Sequence, residues 1–268
     1  MALAAAVCLC VCAEPRNNFR FAILGDRTGG AQPGVYEQVW REVSLLRPDF
    51  VINVGDTIEG GNDATAAAAE WESLRKLWNR YNLPQYFTPG NHDIWSADSR
   101  RIYEKATGRP ASYGFNYQDA HFTVLDNSGS LNLSDAQMRF LADDLEKNKG
   151  RSPKFVLFHQ PFWLIPLKFG SGEFPFHELV RKYGVNYVLS GHGHQFVRLE
   201  RDGIVYIEAG SSGAKLKGEG FERGWFYLHI LATVRGAKVE MEVKELDEPM
   251  GKGRRFNAED WEGKRVAN

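Results

Sequence analysis

The stretch Val185–Phe196, VNYVLSGHGHQF, joins a short apolar run to two histidines that lie two positions apart. In an extended segment, alternate side chains share a side, so His192 and His194 would face one way with Cα atoms roughly 6–7 Å apart. That separation suits two imidazoles that bind neighbouring metal ions, which lie about 3.5–4 Å apart in dinuclear catalytic sites. A polar turn that carries two solvated histidines explains these residues equally well, so the rest of the chain has to decide.

Short apolar runs of the same kind recur along the chain. They are rich in β-branched and aromatic residues and end at turn residues, which predicts buried strands at 19–25, 49–55, 84–90, 121–126, 154–159, 186–191 and 204–210. Helical patterns separate several of them, at 35–46, 64–78, 133–148 and 173–184. This alternation predicts a layered α/β fold. The consecutive runs 224–234 and 237–246 predict antiparallel strands late in a mixed sheet.

The first thirteen residues, MALAAAVCLCVCA, form an uncharged apolar run that is too short to span a bilayer. The run is typical of a secretory signal peptide cleaved after Ala13, although the usual positive residue at its start is missing. A frayed hydrophobic N-terminus and a lipid anchor on Cys8 or Cys12 stay open as alternatives. All three cysteines lie here, so a mature chain would have neither disulfides nor thiolate metal ligands. We expect an exported protein, periplasmic or secreted.

The composition is that of a globular protein, with 43% hydrophobic and 25% charged residues among 268. The chain shows no internal repeat and no long linker, which favours one domain over residues 14–247 and a peripheral tail over 248–268. The formal net charge of -1 gives no broad basic field, so neither nucleic acid nor an anionic membrane is an expected partner. The sequence does not determine the oligomeric state.

Polar side chains stand at the ends of five predicted strands. The segments are GDRTGG with Asp26, GDTIEGG with Asp56, GNHD with Asn91, His92 and Asp93, HQPF with His159, and GHGH with His192 and His194. Because sites in open α/β sheets form at the carboxyl ends of strands, largely parallel strands would bring these groups together. Each piece alone is weak, since GD is common in turns and a lone histidine is more often structural. The whole series favours a site.

In this order of motifs the chain resembles the calcineurin-like metallophosphoesterases, from about residue 19 to 210 with a continuation to 246. The resemblance implies a four-layered αββα sandwich of two mixed β-sheets flanked by helices. It also implies two bound metal ions with six protein ligands: Asp26 and His194 for the first, Asp56 for both, and Asn91, His159 and His192 for the second.

The chemistry that the resemblance implies is hydrolysis of a phosphomonoester or phosphodiester, with a small phosphoester as substrate. Oxygen and imidazole ligands suit ions of the Mn, Fe or Zn type without selecting among them. Two such ions lower the pKa of a bound water from about 15.7 to about 7, and the resulting hydroxide attacks phosphorus. In the family His92 assists the leaving group and Asp93 orients it. A carboxylate that only stabilises the turn is the alternative reading of Asp93.

The first motif departs from the family pattern Asp-x-His, because Asp26 is followed by Arg27 and Thr28. Thr28 replaces imidazole poorly, so the first metal is expected to be held weakly unless water or Glu59 completes its site. Arg27 is a candidate phosphate clamp, with a surface ion pair to Glu59 as the alternative. The missing histidine also supports a second hypothesis, a non-catalytic metal-dependent binding or scaffold protein on a degenerate phosphoesterase fold. The retained His92 favours the enzyme.

Overall fold

The computed structural model describes residues 17–61, 63–170, 174–246 and 253–261, and these contain twelve strands and six α-helices. The strands are β1 (Asn18–Leu24), β2 (Phe50–Asn53), β3 (Gln85–Phe87), β4 (Tyr113–Tyr117), β5 (Ala120–Val124), β6 (Lys154–Leu157), β7 (Tyr187–Ser190), β8 (Phe196–Arg201), β9 (Ile204–Ala209), β10 (Leu228–Arg235), β11 (Lys238–Glu245) and β12 (Arg255–Asn257). The helices are α1 (Val35–Leu46), α2 (Ala64–Trp78), α3 (Ala97–Thr107), α4 (Asp135–Lys147), α5 (Leu164–Phe169) and α6 (Pro175–Lys182).

The strands form two mixed sheets of six strands each among the described residues. The first has the order β12-β11-β10-β1-β2-β3, and its strands β1, β2 and β3 run parallel. The second has the order β4-β5-β6-β7-β9-β8, and β5, β6, β7 and β9 run parallel. As predicted, the late strands β10 and β11 are antiparallel. Each sheet therefore has a parallel group whose carboxyl ends can carry site residues.

Alternation along the strands produces four layers. In β1, Phe19, Phe21 and Ile23 enter the core between the two sheets, whereas Ala22 and Leu24 enter the core beneath the helices α1, α2 and α3. A third core joins the outer face of the second sheet to α4, α5 and α6. This arrangement is the αββα sandwich that the family resemblance implied.

The sequence predicted a signal peptide at the N-terminal end of the chain and a peripheral tail at the C-terminal end. The predicted signal peptide, residues 1–13, lies outside the described residues, so export remains a prediction. Within the described ranges, no helix combines the length and the apolar character that crossing a membrane requires. From the predicted tail, residues 253–261 add β12 to the edge of the first sheet, and Trp261 packs against Phe256 and Phe196. The sequence analysis did not predict that strand.

Candidate metal centre

The six predicted metal ligands follow parallel strands of both sheets. Asp26, Asp56 and Asn91 come after β1, β2 and β3 of the first sheet. His159 comes after β6 of the second sheet, and His192 and His194 come after β7. Because the parallel strands of each sheet end at the same edge, the sandwich brings both sets of side chains to one place.

Two groups of side chains at this place have the geometry to hold metal ions. One contains Asp56, His159 and His192, the other contains Asp26, Asp56 and His194, and within each group the ligand atoms lie within 4.8 Å of one another. Asp56 belongs to both groups, as a carboxylate that bridges two ions must. Asn91 joins the first-named group, since its Oδ1 lies 2.9 Å from Nδ1 of His192.

Three of these residues have left-handed backbone conformations, which are uncommon for residues other than glycine. Their φ angles are 52° for Asp56, 78° for His192 and 64° for His194. Such conformations cost of order 1–3 kcal/mol each and persist where surrounding contacts impose them. At His192 the backbone N–H donates to both oxygens of Asp26, at 3.0 and 2.8 Å, so that two predicted ligands hold each other in place.

His159 supplies a test of whether the residues fit a metal. Its Nδ1 donates to the carbonyl of Val54 at 2.9 Å, which directs Nε2 toward the centre. That Nε2 is buried and lies 3.1 Å from Oδ2 of Asp56, yet among the described residues it has no partner with hydrogen-bond geometry. A buried ring nitrogen fixed by a backbone carbonyl and left facing a carboxylate is the usual environment of a metal-binding histidine. The donor set therefore fits a metal centre.

His194 is oriented in the same way from the other side of the site. Its Nδ1 donates to the carbonyl of Lys215 at 2.6 Å, and its Nε2 lies 3.3 Å from Oδ2 of Asp26. The ring packs against the backbone of Gly29, where an added Cβ would lie 2.7 Å from Cε1. Glycine at this position thus lets the loop after β1 approach the imidazole closely.

Burial is the largest influence on the pKa of every buried ligand, but for Asp56 and His159 their mutual interaction reverses its direction. Burial raises the pKa of Asp26 to about 7. The pKa of Asp56 moves against the effect of burial, to about 2, because His159 lies beside it. Burial alone would lower the pKa of His159, but the neighbouring Asp56 raises it to about 10. Burial and the charge of His159 lower the pKa of His192 to about 4. A proton on His159 thus offsets buried carboxylate charge, and a bound metal ion would displace that proton.

His92, the predicted catalytic residue, lies at the edge of the ligand groups. Its backbone N–H donates to Oδ1 of Asp56 at 2.9 Å, and its Nδ1 donates to the carbonyl of Glu59 at 2.7 Å. The ring is half-buried. Glu59 thus orients the ring through its backbone and leaves Nε2 for other partners.

Asp93 lies fully buried and bonds to the backbone rather than to His92. Its Oδ1 accepts from the N–H groups of Thr57 and Ile58, at 2.9 and 3.1 Å, and its Oδ2 accepts from Gly90 at 2.9 Å. Burial, followed by the charge of Asp56, raises its pKa to about 7. Asp93 thus ties together the loops after β2 and β3, while the carbonyl of Glu59 holds the ring of His92, and an orienting role of Asp93 in catalysis remains a prediction.

Thr28 and Glu59 both bond to the backbone. The buried hydroxyl of Thr28 lies 2.9 Å from the carbonyl of Asp56 and 2.6 Å from that of Ile58. The carboxylate of Glu59 accepts from the N–H groups of Gly30 and Ala31, at 3.0 and 3.4 Å. Glu59 belongs to neither candidate metal group found among the described residues, and the hydroxyl of Thr28 is bonded to backbone carbonyls.

The guanidinium of Arg27 contacts a backbone carbonyl and an aromatic ring of the protein. Its Nη1 donates to the carbonyl of Thr57 at 3.0 Å, and its guanidinium carbon lies 5.7 Å from the centre of the Tyr36 ring. These contacts differ from the ion pair with Glu59 that was the alternative for this residue. The role of Arg27 in substrate binding remains a prediction.

The comparisons with known proteins agree with this geometry. A family model described as calcineurin-like phosphoesterase matches residues 19–196. The chain belongs to that family. It is 31% identical over 163 residues to the DNA double-strand break repair protein Mre11 of Methanococcus maripaludis, covering 56% of this chain and 42% of the relative. It is 27% identical over 168 residues to purple acid phosphatase 23 of Arabidopsis thaliana, covering 51% and 37%.

A solved structure confirms the fold of this calcineurin-like phosphoesterase. The purple acid phosphatase PPD1 from yellow lupin (Lupinus luteus) seeds aligns with a TM-score of 0.66 and 17% identity, covering 90% of this chain and 53% of that one. At that identity the likeness concerns the fold alone. The chain spans less than half the length of the two curated relatives, 42% and 37%.

The phosphoesterase also positions its ligands through two residues that the sequence analysis missed. Oδ1 of Asn127 accepts from the N–H groups of His159 and Gln160, both at 3.0 Å. Glu208 on β9 is 2% exposed and packs against the GHGH turn, since an added Cβ on Gly193 would lie 1.8 Å from its Oε1. A signal existed for each, since Asn127 directly follows the predicted strand 121–126 and Glu208 interrupts the apolar run IVYIEAG.

The other three histidines have structural partners. His121 pairs with Asp144, His177 with Tyr206 and Asp202, and His229 with Glu42. All three histidines are buried.

Proposed function

We propose that this phosphoesterase hydrolyses small phosphomonoesters or phosphodiesters at a dinuclear metal centre. The observation that carries the proposal is the pair of ligand groups that share Asp56, each group drawing on both sheets. Asp26, Asp56 and His194 would hold one ion, and Asp56, Asn91, His159 and His192 would hold the other. When bound, two ions of the Mn, Fe or Zn type supply a water of lowered pKa and positive charge for the phosphoryl oxygens.

The protein's own contribution is to orient ligands and to provide a proton. The carbonyls of Val54 and Lys215 fix the rings of His159 and His194, so no ring has to reorient when metal binds. With Nδ1 of His92 held by the carbonyl of Glu59, its Nε2 is the atom that would protonate the leaving oxygen. General acid assistance of this kind contributes about 10²–10⁴ in rate.

Small substrates fit the charge of the chain better than nucleic acid does. The formal net charge of -1 supplies no basic field for a polyanion. The relation to Mre11, a DNA double-strand break repair protein, still makes a DNA phosphodiester a substrate to test. The screen therefore includes p-nitrophenyl phosphate, bis-p-nitrophenyl phosphate and a DNA oligonucleotide, with protein loaded separately with Mn, Fe or Zn.

Asp56→Asn and His192→Ala should each abolish hydrolysis, because Asp56 would hold both ions and His192 one of them. Metal content should fall with activity, while circular dichroism stays that of the unmodified protein. Loss of activity in either variant at full metal content would contradict the ligand assignment. An unmodified protein that binds two ions yet hydrolyses none of the substrates would favour the non-catalytic binding protein. Because Thr28 replaces a histidine, dialysed protein should hold between one and two ions.

A further inference from the structure

A lysine reaches the metal centre from the loop after β9. Nζ of Lys217 donates to the carbonyl of His192 at 2.8 Å, and the side chain is otherwise exposed. His192 is one of the ligands in the group around Asp56 and His159. The ammonium therefore lies beside the backbone of a predicted ligand and is open to solvent.

The loop that carries Lys217 is fixed on both sides of it. Before it, Lys215 donates its N–H to the carbonyl of Gly30 at 3.0 Å and accepts from the ring of His194. After it, Gly218 packs on Trp225, whose indole would lie 2.5 Å from an added Cβ. Anchors within two residues restrict where the ammonium can go, which reduces the entropy lost when it binds an anion.

Contacts of the loop place Lys217 beside both predicted histidine ligands. Its own Nζ bonds to the carbonyl of His192, and the carbonyl of Lys215, two residues earlier, accepts from the ring of His194. Arg27, the candidate clamp considered from the sequence, donates to the carbonyl of Thr57 and lies near Tyr36. Lys217 is a second cation, in contact with the backbone of a predicted ligand.

We infer that Lys217 is a substrate-binding residue whose ammonium binds a non-bridging oxygen of the phosphoester. An ammonium has three N–H donors, of which the carbonyl of His192 takes one. A charge-assisted hydrogen bond to a phosphate oxygen is stronger than a neutral one, and the dianion of a monoester gains more from it than the monoanion of a diester. The inference rests on the proposed function in placing a phosphoester at this centre, and it adds a preference for monoesters.

The test compares Lys217→Gln and Lys217→Arg with Lys182→Gln, in the full chain loaded with Mn. Lys182 is an exposed lysine on α6, so its replacement removes the same charge away from the centre. For each variant we would measure Mn content and the binding of inorganic phosphate by calorimetry. We would also measure kcat and KM for p-nitrophenyl phosphate and for bis-p-nitrophenyl phosphate.

Lys217→Gln should weaken phosphate binding and raise KM for the monoester about tenfold, the loss of a charge-assisted bond of about 1.4 kcal/mol. KM for the diester should change less, Mn content should stay the same, and Lys217→Arg should recover most of the binding. Lys182→Gln should behave as the unmodified protein.

The outcomes separate this inference from the proposed function. An active protein in which Lys217→Gln changes neither phosphate binding nor KM overturns the inference and leaves the proposed function standing. Phosphate binding that depends on Lys217 in a protein without hydrolytic activity supports the inference and rejects the proposed function. Loss of Mn in Lys217→Gln would show that the lysine acts through His192, and an unmodified protein that binds no phosphate would remove the anion site; both results overturn the inference.

Discussion

At the scale of single residues, Thr28 stabilises the loop that carries the shared ligand. Its hydroxyl lies within hydrogen-bond distance of two backbone carbonyls, those of Asp56 and Ile58. Asp56 is the residue of this loop with a left-handed φ. Thr28→Val keeps the shape but leaves a buried carbonyl unpaired, so the free energy of unfolding should fall by about 1–3 kcal/mol. Mn affinity should fall as well, because Asp56 is less well held.

Urea unfolding and Mn titration of Thr28→Val test this role, and Thr28→Ser is the matched control because it keeps the hydroxyl. Equal stability and equal Mn affinity in the two variants would show that the hydroxyl bonds contribute nothing.

Residue identities in the site were predictable, whereas most of their contacts were not. Asp26, Asp56 and the histidine pair follow predicted strands, so spacing and fold class together located them. The partners of Arg27 and Glu59 depend on loop conformation, which no local pattern determines. The same holds for Lys217, whose loop carries no motif and whose contact with His192 spans 25 positions.

At the scale of elements, β9 supports the GHGH turn through Glu208. A methyl group on Gly193 would overlap Oε1 of Glu208, and the φ of Gly193 is not left-handed, so space rather than backbone conformation requires glycine here. Gly193→Ala should therefore displace the turn, and overpacking of this kind costs about 1–3 kcal/mol. Mn binding should weaken because His192 and His194 flank the displaced residue.

A double variant tests the contact itself. Glu208→Ala in the Gly193→Ala background should restore part of the Mn affinity by making room for the methyl group. The control is Gly129→Ala, since an added Cβ there meets no atom within 4 Å. Mn affinity that is unchanged in Gly193→Ala, or a double variant no better than the single one, would contradict the contact.

Elements with strong periodicity were predictable and weakly apolar ones were not. The predicted helix at 64–78 coincides with α2, and the buried runs became β1, β2, β3, β5, β6, β7 and β9. The unpredicted helix α3 buries only Ser99 and Tyr103, so its sequence lacks an apolar stripe. Strand β8 reads FVRLER and lies at the edge of its sheet, where charged residues are tolerated.

At the scale of the whole molecule, the metal centre depends on how the two sheets pack. Aromatic rings join them: Phe155 of the second sheet meets Phe21 of the first edge to face at 5.4 Å and stacks on Phe122 at 4.5 Å. All three side chains are fully buried. Since Asp26 and Asp56 come from one sheet and His159 from the other, a bound metal ion should hold the two sheets together.

Phe155→Ala should lower the free energy of unfolding by about 3–5 kcal/mol, the usual cost of deleting a buried phenylalanine ring. It should also weaken Mn binding, although Phe155 is not a ligand, because the two sets of ligands are then less firmly held relative to each other.

Added Mn should raise Tm in the unmodified protein, since an ion that binds only the folded state stabilises it, and the rise should be smaller in Phe155→Ala. The control is Phe169→Ala, whose side chain is 66% exposed and whose loss should change stability by at most about 0.5 kcal/mol. If Phe155→Ala is destabilised but binds Mn as tightly as the unmodified protein, the ligand groups of the two sheets are held by local contacts alone and the inter-sheet core has no part in organising the site.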